Sequence, residues 1–330
     1  MLAALHVAPN RLEVIEVPAP DPAPGEVVVA VRACAFCGSD RHDLAHQPAE
    51  PRIAGHEFAG VVVQEAADTP DLVGQAVIVD PIMRCGRCDY CRAGQDHLCR
   101  SMAVIGCQTP GGFAELVKAP AGNLHPKPEG LPFAVATLAD PLAVALHAAE
   151  LACAVPGARC LILGAGTIGL LLAQVLAFQE AGEVWLADIE ATHLELARRL
   201  GAFRTVDLSG GATEGLPGEC DLAVEVAGGA APTLGWAIAA VRKGGTVLCV
   251  AQRPPTEIAY PTLLFRELRL QGVFGQRARD FGRAVELLGT GRIAGAPLIT
   301  DCFPLAEAQA ALERFLEPSS VKVVVGGEEQ

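Results

Sequence analysis

The segment 160-CLILGAGTIG-169 places a glycine-rich turn directly after an apolar run. The run Cys160–Leu163 predicts a buried strand, and the apolar residues that follow, up to Phe178, predict a helix. Gly164, Gly166 and Gly169 form the pattern G-x-G-x-x-G, which between a strand and a helix predicts a dinucleotide-binding turn. The alternative is a glycine-rich turn that binds no ligand.

This turn has the features that a pyrophosphate requires. Gly164 permits the tight bend, Gly166 lets the phosphates approach the backbone, and Gly169 lets the helix pack closely against the strand. The helix begins at Thr167 and Ile168, so its N–H groups and the positive end of its dipole face the phosphates. We therefore predict that these residues bind the cofactor.

An acidic residue follows the next predicted strand, 183-EVWLA-187. This residue, Asp188, stands 19 residues after Gly169. A carboxylate at this place accepts hydrogen bonds from the ribose hydroxyls and repels a 2′-phosphate. No arginine follows directly, since the next residues are Ile189 and Glu190. The pattern therefore favours NAD over NADP.

Predicted strands and helices alternate from about residue 141 onward. Further strands are predicted at 221–226 and 245–250, with a helix over 192–200. Such alternation implies parallel pairing in a doubly wound sheet. Near the end, two helices are predicted at 281–288 and 305–315, and a closing strand at 321–325.

Residues 1 to about 140 show a different pattern. Short apolar runs at 26–31, 60–63 and 76–79 are separated by turn-forming residues rather than by helical segments. This arrangement predicts an all-β, barrel-like unit.

The composition is that of a compact globular protein. The chain has 330 residues, 51% of them hydrophobic and 19% charged, which suffices for about two domains. A formal net charge of −13 argues against binding to phosphate backbones. No run approaches the ~18 uninterrupted apolar residues of a membrane span. Residues 1–10 lack a basic leader and a long apolar region, so we expect a cytoplasmic protein.

Four of the 12 cysteines lie close together. The spacing of Cys85, Cys88, Cys91 and Cys99 suits tetrahedral zinc, and four thiolates leave no open position for chemistry. We therefore predict a structural zinc lobe over residues 84–100. An iron–sulfur cluster could use similar ligands. A zinc ribbon that binds nucleic acid is a further alternative, opposed by the negative net charge.

A second group of candidate metal ligands is dispersed along the chain. One lies in 37-CGSDRH-42 and two lie in 55-GHE-57. The thiolate of Cys37, the imidazole of His56 and the carboxylate of Glu57 are all good zinc ligands. Three protein ligands with one open position are typical of catalytic zinc. Taken singly, a Cys is most often a small buried apolar residue, and a His is often a hydrogen-bonded structural residue.

Several segments together resemble the zinc-dependent medium-chain dehydrogenase/reductases, the zinc alcohol dehydrogenase superfamily, over essentially the whole chain. The segments are 37-CGSDRH-42, 55-GHEFAG-60, the four-cysteine lobe, 111-GGFAE-115, 141-PLAVALHA-148 and the glycine-rich turn. The last two, with 123-NLHP-126, most resemble the polyol, sugar-acid and threonine dehydrogenase branch.

The resemblance implies ligands for a catalytic zinc ion. Cys37 and His56 would bind the metal, and Glu57 would be a ligand or a near neighbour. The third protein ligand in this branch is often a Glu just before the Pro-Leu segment, where this chain has Asp140. Because Asp is one methylene shorter, either the backbone moves in, a water bridges, or Glu57 coordinates instead. Asp40 is expected to orient His56.

Further roles follow from the same resemblance. A proton would leave through Ser39 and the cofactor ribose to His42. By analogy, His193 would touch the adenosine ribose. Cys34 and Cys107 are out of register with both metal sites, so we expect them in the core.

The fold class implied is α/β and β, a GroES-like β-barrel catalytic domain plus a Rossmann doubly wound parallel sheet. We expect residues 1–140 and 280–330 to form the catalytic domain, and 141–279 to form the NAD-binding domain. The expected cofactors are NAD and two Zn²⁺ ions per subunit, one catalytic and one structural. Family members are usually homodimers or homotetramers, and we expect no nucleic-acid or membrane partner.

The expected reaction is oxidation of a secondary hydroxyl of a polyol, sugar acid or hydroxy amino acid, by hydride transfer to NAD. Asp140, in place of a Cys, favours this branch over a general alcohol dehydrogenase that acts on simple alcohols and aldehydes. However, 273-VFGQ-276 lacks the Arg-Tyr pair that polyol enzymes often carry. Both activities, on polyol-like substrates and on simple alcohols, therefore stay open. A non-catalytic NAD(H)-binding protein is the third possibility.

Overall fold

The computed structural model describes residues 1–69, 71–153, 156–201, 203–211 and 213–327. Unit 1 comprises Met1–Ala143 together with the chain from Arg277 onward, and unit 2 comprises Val144–Gln276. Residues 328–330 of the predicted catalytic domain lie outside the described residues.

The described chain forms 18 strands, named in chain order. They are β1 (Leu2–Ala8), β2 (Arg11–Glu16), β3 (Glu26–Ala35), β4 (Arg52–Ile53), β5 (Glu57–Glu65), β6 (Ala76–Val79), β7 (Ile82–Met83), β8 (Ala103–Val104), β9 (Leu116–Pro120), β10 (Leu124–Pro126), β11 (Arg159–Leu163), β12 (Glu183–Asp188), β13 (Arg204–Asp207), β14 (Cys220–Glu225), β15 (Val241–Cys249), β16 (Arg269–Gly272), β17 (Ile299–Phe303) and β18 (Lys322–Gly326).

Ten α-helices are formed by the described residues. They are α1 (Asp40–Asp43), α2 (Asp89–Arg92), α3 (Phe133–Ala136), α4 (Ala139–Ala152), α5 (Thr167–Phe178), α6 (Ala191–Leu200), α7 (Thr233–Ala240), α8 (Tyr260–Arg266), α9 (Ala278–Gly289) and α10 (Ala308–Leu316). Single 3₁₀ turns lie at Asp96–Leu98, Ala121–Asn123, Ala296–Leu298 and Leu305–Glu307.

Unit 1 is built around the long strand β3. This strand pairs antiparallel with β5 along one edge, and with β9 and then β18 along the other. The alternating Val side chains of β3 enter a core that also holds Phe36, Phe58, Phe113 and Phe315. Phe36 stacks on Phe315 with ring centroids 5.0 Å apart, and lies 4.4 Å from the Phe113 ring. The core therefore anchors the chain immediately before Cys37.

Unit 2 contains one six-stranded sheet in the order β13-β12-β11-β14-β15-β16. Every neighbouring pair in it is parallel, which confirms the predicted sheet. The chain passes from β11 to β12 on one side, while β14 lies on the other side of β11. The order of strands thus reverses between β11 and β14, and ligands of such sheets bind at that switch point, outside the carboxyl ends of the strands.

One expectation from the sequence needs correction. The predicted helix over 305–315 begins as a 3₁₀ turn and becomes α-helical only at Ala308. The segment Phe133–Ala152 is long and apolar enough to cross a membrane by length and composition. Asp140 and His147 interrupt its apolar run. In its most apolar window 83% is buried inside the protein, as in a core helix of a folded domain.

Candidate active site

Pairing of β3 with β5 brings together three side chains that are far apart in sequence. Ala35, at the end of β3, pairs with Glu57 at the start of β5, so Cys37 follows β3 directly opposite this end of β5. One ligand atom each of Cys37, His56 and Glu57 lies within 4.8 Å of the other two. His56 is 8% exposed and Glu57 is 1% exposed. The predicted ligands therefore form one buried cluster.

The donor set of this cluster fits a zinc ion. Thiolate, imidazole and carboxylate are common zinc ligands, and three of them leave a position for substrate. Glu57 Oε1 is buried and has no hydrogen-bond partner among the described residues. A buried carboxylate oxygen without a partner is unfavourable, and a bound cation would satisfy it.

Burial and neighbouring charges shift the pKa values of Cys37 and His56. Burial, with the nearby Glu57 carboxylate, raises the pKa of the Cys37 thiol. Burial lowers the pKa of His56, but Cys37, Cys107 and Asp40 outweigh it and raise that pKa well above its usual value. Zinc binds the thiolate and the neutral imidazole, so its binding competes with protons for these two residues.

Asp40 supports the cluster mainly through the backbone. Its Oδ2 accepts a hydrogen bond from the Cys37 N–H at 2.9 Å. Its Oδ1 lies 4.0 Å from His56 Nδ1, which is longer than a hydrogen bond. In this structure Asp40 therefore fixes the turn that carries Cys37 and acts on His56 only electrostatically.

A buried lysine completes the cluster, and sequence reasoning missed it. Lys322 Nζ donates to Glu57 Oε2 at 2.6 Å and to the Phe36 carbonyl at 2.9 Å. The Lys322 and Glu57 side chains are 2% and 0% exposed. Burial lowers the pKa of Lys322, but the Glu57 carboxylate outweighs this and raises it. The available signal was a single charge within 321-VKVVV-325, an otherwise apolar strand.

Asp140 and Cys107 lie near the residues of this cluster. Asp140, on the first turn of α4, is 8% exposed and close enough to Lys322 to raise the pKa of that amine. It is not among the three residues that converge within 4.8 Å, so its coordination of zinc stays a prediction. Cys107, expected in the core, instead lies beside His56, because the turn after β8 folds back toward Gly55. Cys34 is fully buried, as expected.

The two predicted relay residues lie on the turn after Cys37. Ser39 is half-buried and precedes α1, and its carbonyl accepts the His42 N–H at 3.0 Å. The His42 side chain is 65% exposed, with Nδ1 3.4 Å from Asp43 Oδ1. His42 can therefore exchange protons with solvent.

The four clustered cysteines have the geometry of a closed site. Their sulfur atoms all lie within 4.8 Å of one another, with Cys88 Sγ and Cys85 Sγ 3.5 Å and 4.0 Å from Cys91 Sγ. Four sulfurs at the zinc–sulfur distance from a tetrahedral centre lie about 3.8 Å apart. Backbone N–H groups of Arg100 and Cys91 lower the pKa of Cys88 to about 6, which favours its thiolate.

The glycine-rich turn of unit 2 has the close contacts that were predicted for it. Gly164 has φ +112°, and a Cβ there would lie 2.8 Å from the Ala227 nitrogen. A Cβ on Gly169 would lie 1.9 Å from the Gly164 carbonyl oxygen. A Cβ on Gly166 would meet no described atom within 4 Å apart from its chain neighbours, and no side chain caps α5 there. The start of α5 is thus open to a phosphate group.

Asp188 lies next to this turn. Its Oδ2 accepts the Ala165 N–H at 2.5 Å and its Oδ1 accepts the Glu190 N–H at 2.9 Å. Burial raises the pKa of Asp188, but hydrogen bonds from His193, Ala165 and Glu190 outweigh burial and lower it. The carboxylate is therefore ionised. His193 Nδ1 lies 3.5 Å from Asp188 Oδ2, so the structure places His193 beside the predicted ribose-binding acid.

A doubly wound sheet with a dinucleotide turn, in one chain with a cluster of zinc ligands, defines a metal-dependent dehydrogenase. Residues 23–129 match the alcohol dehydrogenase GroES-like domain family, and residues 167–290 match the zinc-binding dehydrogenase family. The chain belongs to the zinc-binding medium-chain dehydrogenases and is an oxidoreductase that uses zinc and a nicotinamide cofactor. The predicted GroES-like and Rossmann fold class is confirmed.

Several known proteins are similar over nearly the whole chain. L-threonine 3-dehydrogenase of Mesorhizobium japonicum is 34% identical over 328 residues, which cover 94% of each chain. A zinc-binding dehydrogenase of Sinorhizobium meliloti, solved with NADP, has a TM-score of 0.90 at 35% identity and 98% coverage of both chains. L-idonate 5-dehydrogenase of Escherichia coli has a TM-score of 0.89 at 27% identity, covering 98% of this chain and 97% of its own.

The buried ion pair predicts a large loss of stability when its lysine is removed. Lys322→Met leaves Glu57 buried without its counter-charge, and breaking such a pair costs about 3–5 kcal/mol. Lys118→Met is the matched control, because Lys118 pairs with Glu26 at 2.8 Å with the two side chains 37% and 28% exposed. We expect that control to lose less than about 1 kcal/mol. Urea unfolding of both variants gives the free energies.

The double variant Glu57→Gln, Lys322→Met distinguishes the effect of an unpaired buried charge on stability from the effect of altered packing. Because it removes both charges, we expect it to be more stable than Lys322→Met alone. If Lys322→Met and Lys118→Met lower the free energy of unfolding by the same small amount, the buried ion pair stabilises the protein no more than the exposed one.

Proposed function

We propose that this enzyme oxidises a secondary hydroxyl of a polyol, sugar acid or hydroxy amino acid by hydride transfer to NAD, using zinc held by Cys37, His56 and Glu57. The observation that carries the proposal is the buried convergence of these three ligand atoms within 4.8 Å. Unit 1 is the catalytic domain in this account, and unit 2 binds the cofactor.

The chain's own residues supply binding, orientation and proton transfer. A zinc ion in the cluster would act as a Lewis acid that polarises the substrate oxygen. Lys322 holds Glu57 through one oxygen and leaves Oε1 without a hydrogen-bond partner among the described residues. Asp40 fixes the Cys37 turn. His42, exposed beside Asp43, is the proposed group that passes the hydroxyl proton to solvent, with Ser39 preceding it in the relay.

A second zinc ion is proposed at Cys85, Cys88, Cys91 and Cys99. Four sulfur ligands close the coordination sphere, so this ion stabilises the lobe and takes no part in the reaction. The segment between the first and last of these cysteines contributes only two short helices and little apolar core. Such a segment needs a metal to hold its fold.

The substrate class is supported by two relatives of this chain. The relatives are named for threonine and idonate, and both compounds carry a secondary hydroxyl together with a carboxylate. In this enzyme Asp140 occupies the position where this branch often has Glu. A general alcohol dehydrogenase acting on simple alcohols is the second candidate, because 273-VFGQ-276 lacks the Arg-Tyr pair of many polyol enzymes.

The proposal predicts turnover with one class of polar alcohol. Threonine, aldonates, polyols and simple alcohols are each offered with NAD and with NADP, and formation of reduced cofactor is followed by absorbance. We expect Cys37→Ser to lose activity by at least about a hundredfold, since the thiolate ligand is removed. Cys153→Ser, which changes an exposed cysteine, is the control and should retain activity.

The results of the panel distinguish the candidates. Turnover mainly on simple alcohols would favour the general alcohol dehydrogenase. Binding of NADH without turnover on any alcohol of the panel, by zinc-loaded enzyme, would contradict the proposed reaction. Full activity of Cys37→Ser would contradict the proposed metal centre.

Asp188 predicts a preference for NAD, even though the similar Sinorhizobium enzyme was solved with NADP. In Asp188→Asn the side chain keeps an acceptor for the Ala165 N–H but loses its charge. We expect the ratio of kcat/KM for NAD to kcat/KM for NADP to fall about tenfold or more, because like-charge repulsion costs several kcal/mol. Steady-state kinetics with both cofactors measure it.

Asp207→Asn is the matched control for this variant. Asp207 ends β13 and pairs in register with Asp188 on β12, and its Oδ1 accepts the Ser209 N–H. We expect its cofactor ratio to equal that of the unmodified enzyme. An unchanged ratio in Asp188→Asn would refute the role of this carboxylate in selecting NAD.

A further inference from the structure

Unit 2 contains a buried ion pair at the carboxyl ends of its central strands. Glu225 is the last residue of β14, and Arg253 lies four residues beyond the end of β15. Arg253 Nη1 is 3.0 Å from Glu225 Oε1, and the two side chains are 9% and 0% exposed. Burying two charges is costly unless each is well paired, so this pair needs an explanation.

The pair holds the loop that follows β14. Glu225 Oε1 accepts hydrogen bonds from the N–H groups of Ala227 and Gly228, at 3.2 Å and 3.0 Å. Arg253 donates to the carbonyls of Gly228 and Ala231. Both residues also bond the Thr233 hydroxyl, at 2.9 Å and 2.6 Å. Backbone groups along residues 227–231 are thus tied to one buried charge pair.

Without these bonds the loop would have considerable freedom. Its sequence, 226-VAGGAAP-232, has small side chains that bury little surface. Gly228 and Gly229 both have φ +67°, and glycine loses more conformational freedom on ordering than other residues. The ion pair therefore supplies the order that the loop's own side chains cannot.

The ordered loop lies directly against the dinucleotide turn. The Val226 N–H donates to the Leu163 carbonyl at 2.9 Å, and a Cβ on Gly164 would come within 2.8 Å of the Ala227 nitrogen. This contact lies between β11 and β14, where the strand order reverses. A displacement of the loop would alter the backbone that approaches the pyrophosphate.

We propose that Glu225 and Arg253 are positioning residues for the nicotinamide dinucleotide. They act through the loop 226–232, which they hold against Gly164, and so set the affinity of the turn for the cofactor. This inference rests on the proposed function, in which that turn binds the dinucleotide.

The test compares two arginine variants of the full-length, zinc-loaded enzyme. Arg253→Met breaks the pair at the carboxyl ends of β14 and β15. Arg242→Met is the control, because Arg242 Nε bonds Asp221 Oδ1 at 2.7 Å near the opposite ends of the same strands. NADH binding is followed by fluorescence, and KM for NAD and kcat by steady-state kinetics.

We expect Arg253→Met to raise the Kd for NADH and the KM for NAD about tenfold or more, because small displacements at a binding site have large effects. At saturating NAD we expect kcat to change less than about twofold. Arg242→Met should keep its Kd. A lower unfolding temperature of Arg253→Met with an unchanged Kd, or equal rises in Kd for both variants, would overturn the proposal.

If Arg253→Met does not fold, Arg253→Lys tests the positioning role of the ion pair instead. Lysine keeps the positive charge beside Glu225. It has no planar guanidinium group, however, and so cannot donate to the Thr233 hydroxyl and the Ala231 carbonyl together. We expect its Kd for NADH to exceed that of the unmodified enzyme, and an equal Kd would overturn the proposal. Failure of the unmodified enzyme to bind NADH or NADPH would instead refute the proposed function.

Discussion

The ion pair between Glu57 and Lys322 is the interaction on which the proposed metal centre depends. Both charges are withdrawn from water, and each is tolerated only because the other is 2.6 Å away. The pair requires β3, β5 and β18 to keep one register, since Ala35 pairs with both Glu57 and Val324. A slip of β5 or β18 by one residue would turn Glu57 or Lys322 to the opposite face of the sheet. The fold of unit 1 and its proposed chemistry thus both depend on the register of these three strands.

Much of the fold could be predicted because its signals are local. Apolar runs and turn residues identified β3, β11 and β18, and the glycine pattern identified the contacts of Gly164 and Gly169. The site was predictable only in part. Lys322 is 265 residues from Glu57 in sequence, so no local pattern joins them. The position of Cys107 beside His56 depends on how a loop folds, which spacing along the chain does not determine.

In unit 2, two carboxylates hold the backbone around the dinucleotide turn. Its dinucleotide turn needs close backbone contacts, which Gly164 and Gly169 permit. Asp188 bonds the turn from one neighbouring strand, and Glu225 bonds the loop that packs on it from the other. Glu225 can fix this glycine-rich loop because an ionised oxygen accepts several N–H groups strongly. Such carboxylates are visible in the sequence, but their partners emerge only from the tertiary structure.

The most direct test of the metal centre is X-ray absorption at the zinc edge, combined with a zinc count. The account predicts two zinc ions per chain, one with four sulfur ligands at about 2.3 Å and one with a single sulfur and nitrogen or oxygen ligands at about 2.0–2.1 Å. Cys37→Ser should retain one zinc ion with a pure four-sulfur shell. One zinc ion per chain in the unmodified enzyme, surrounded only by sulfur, would contradict the account.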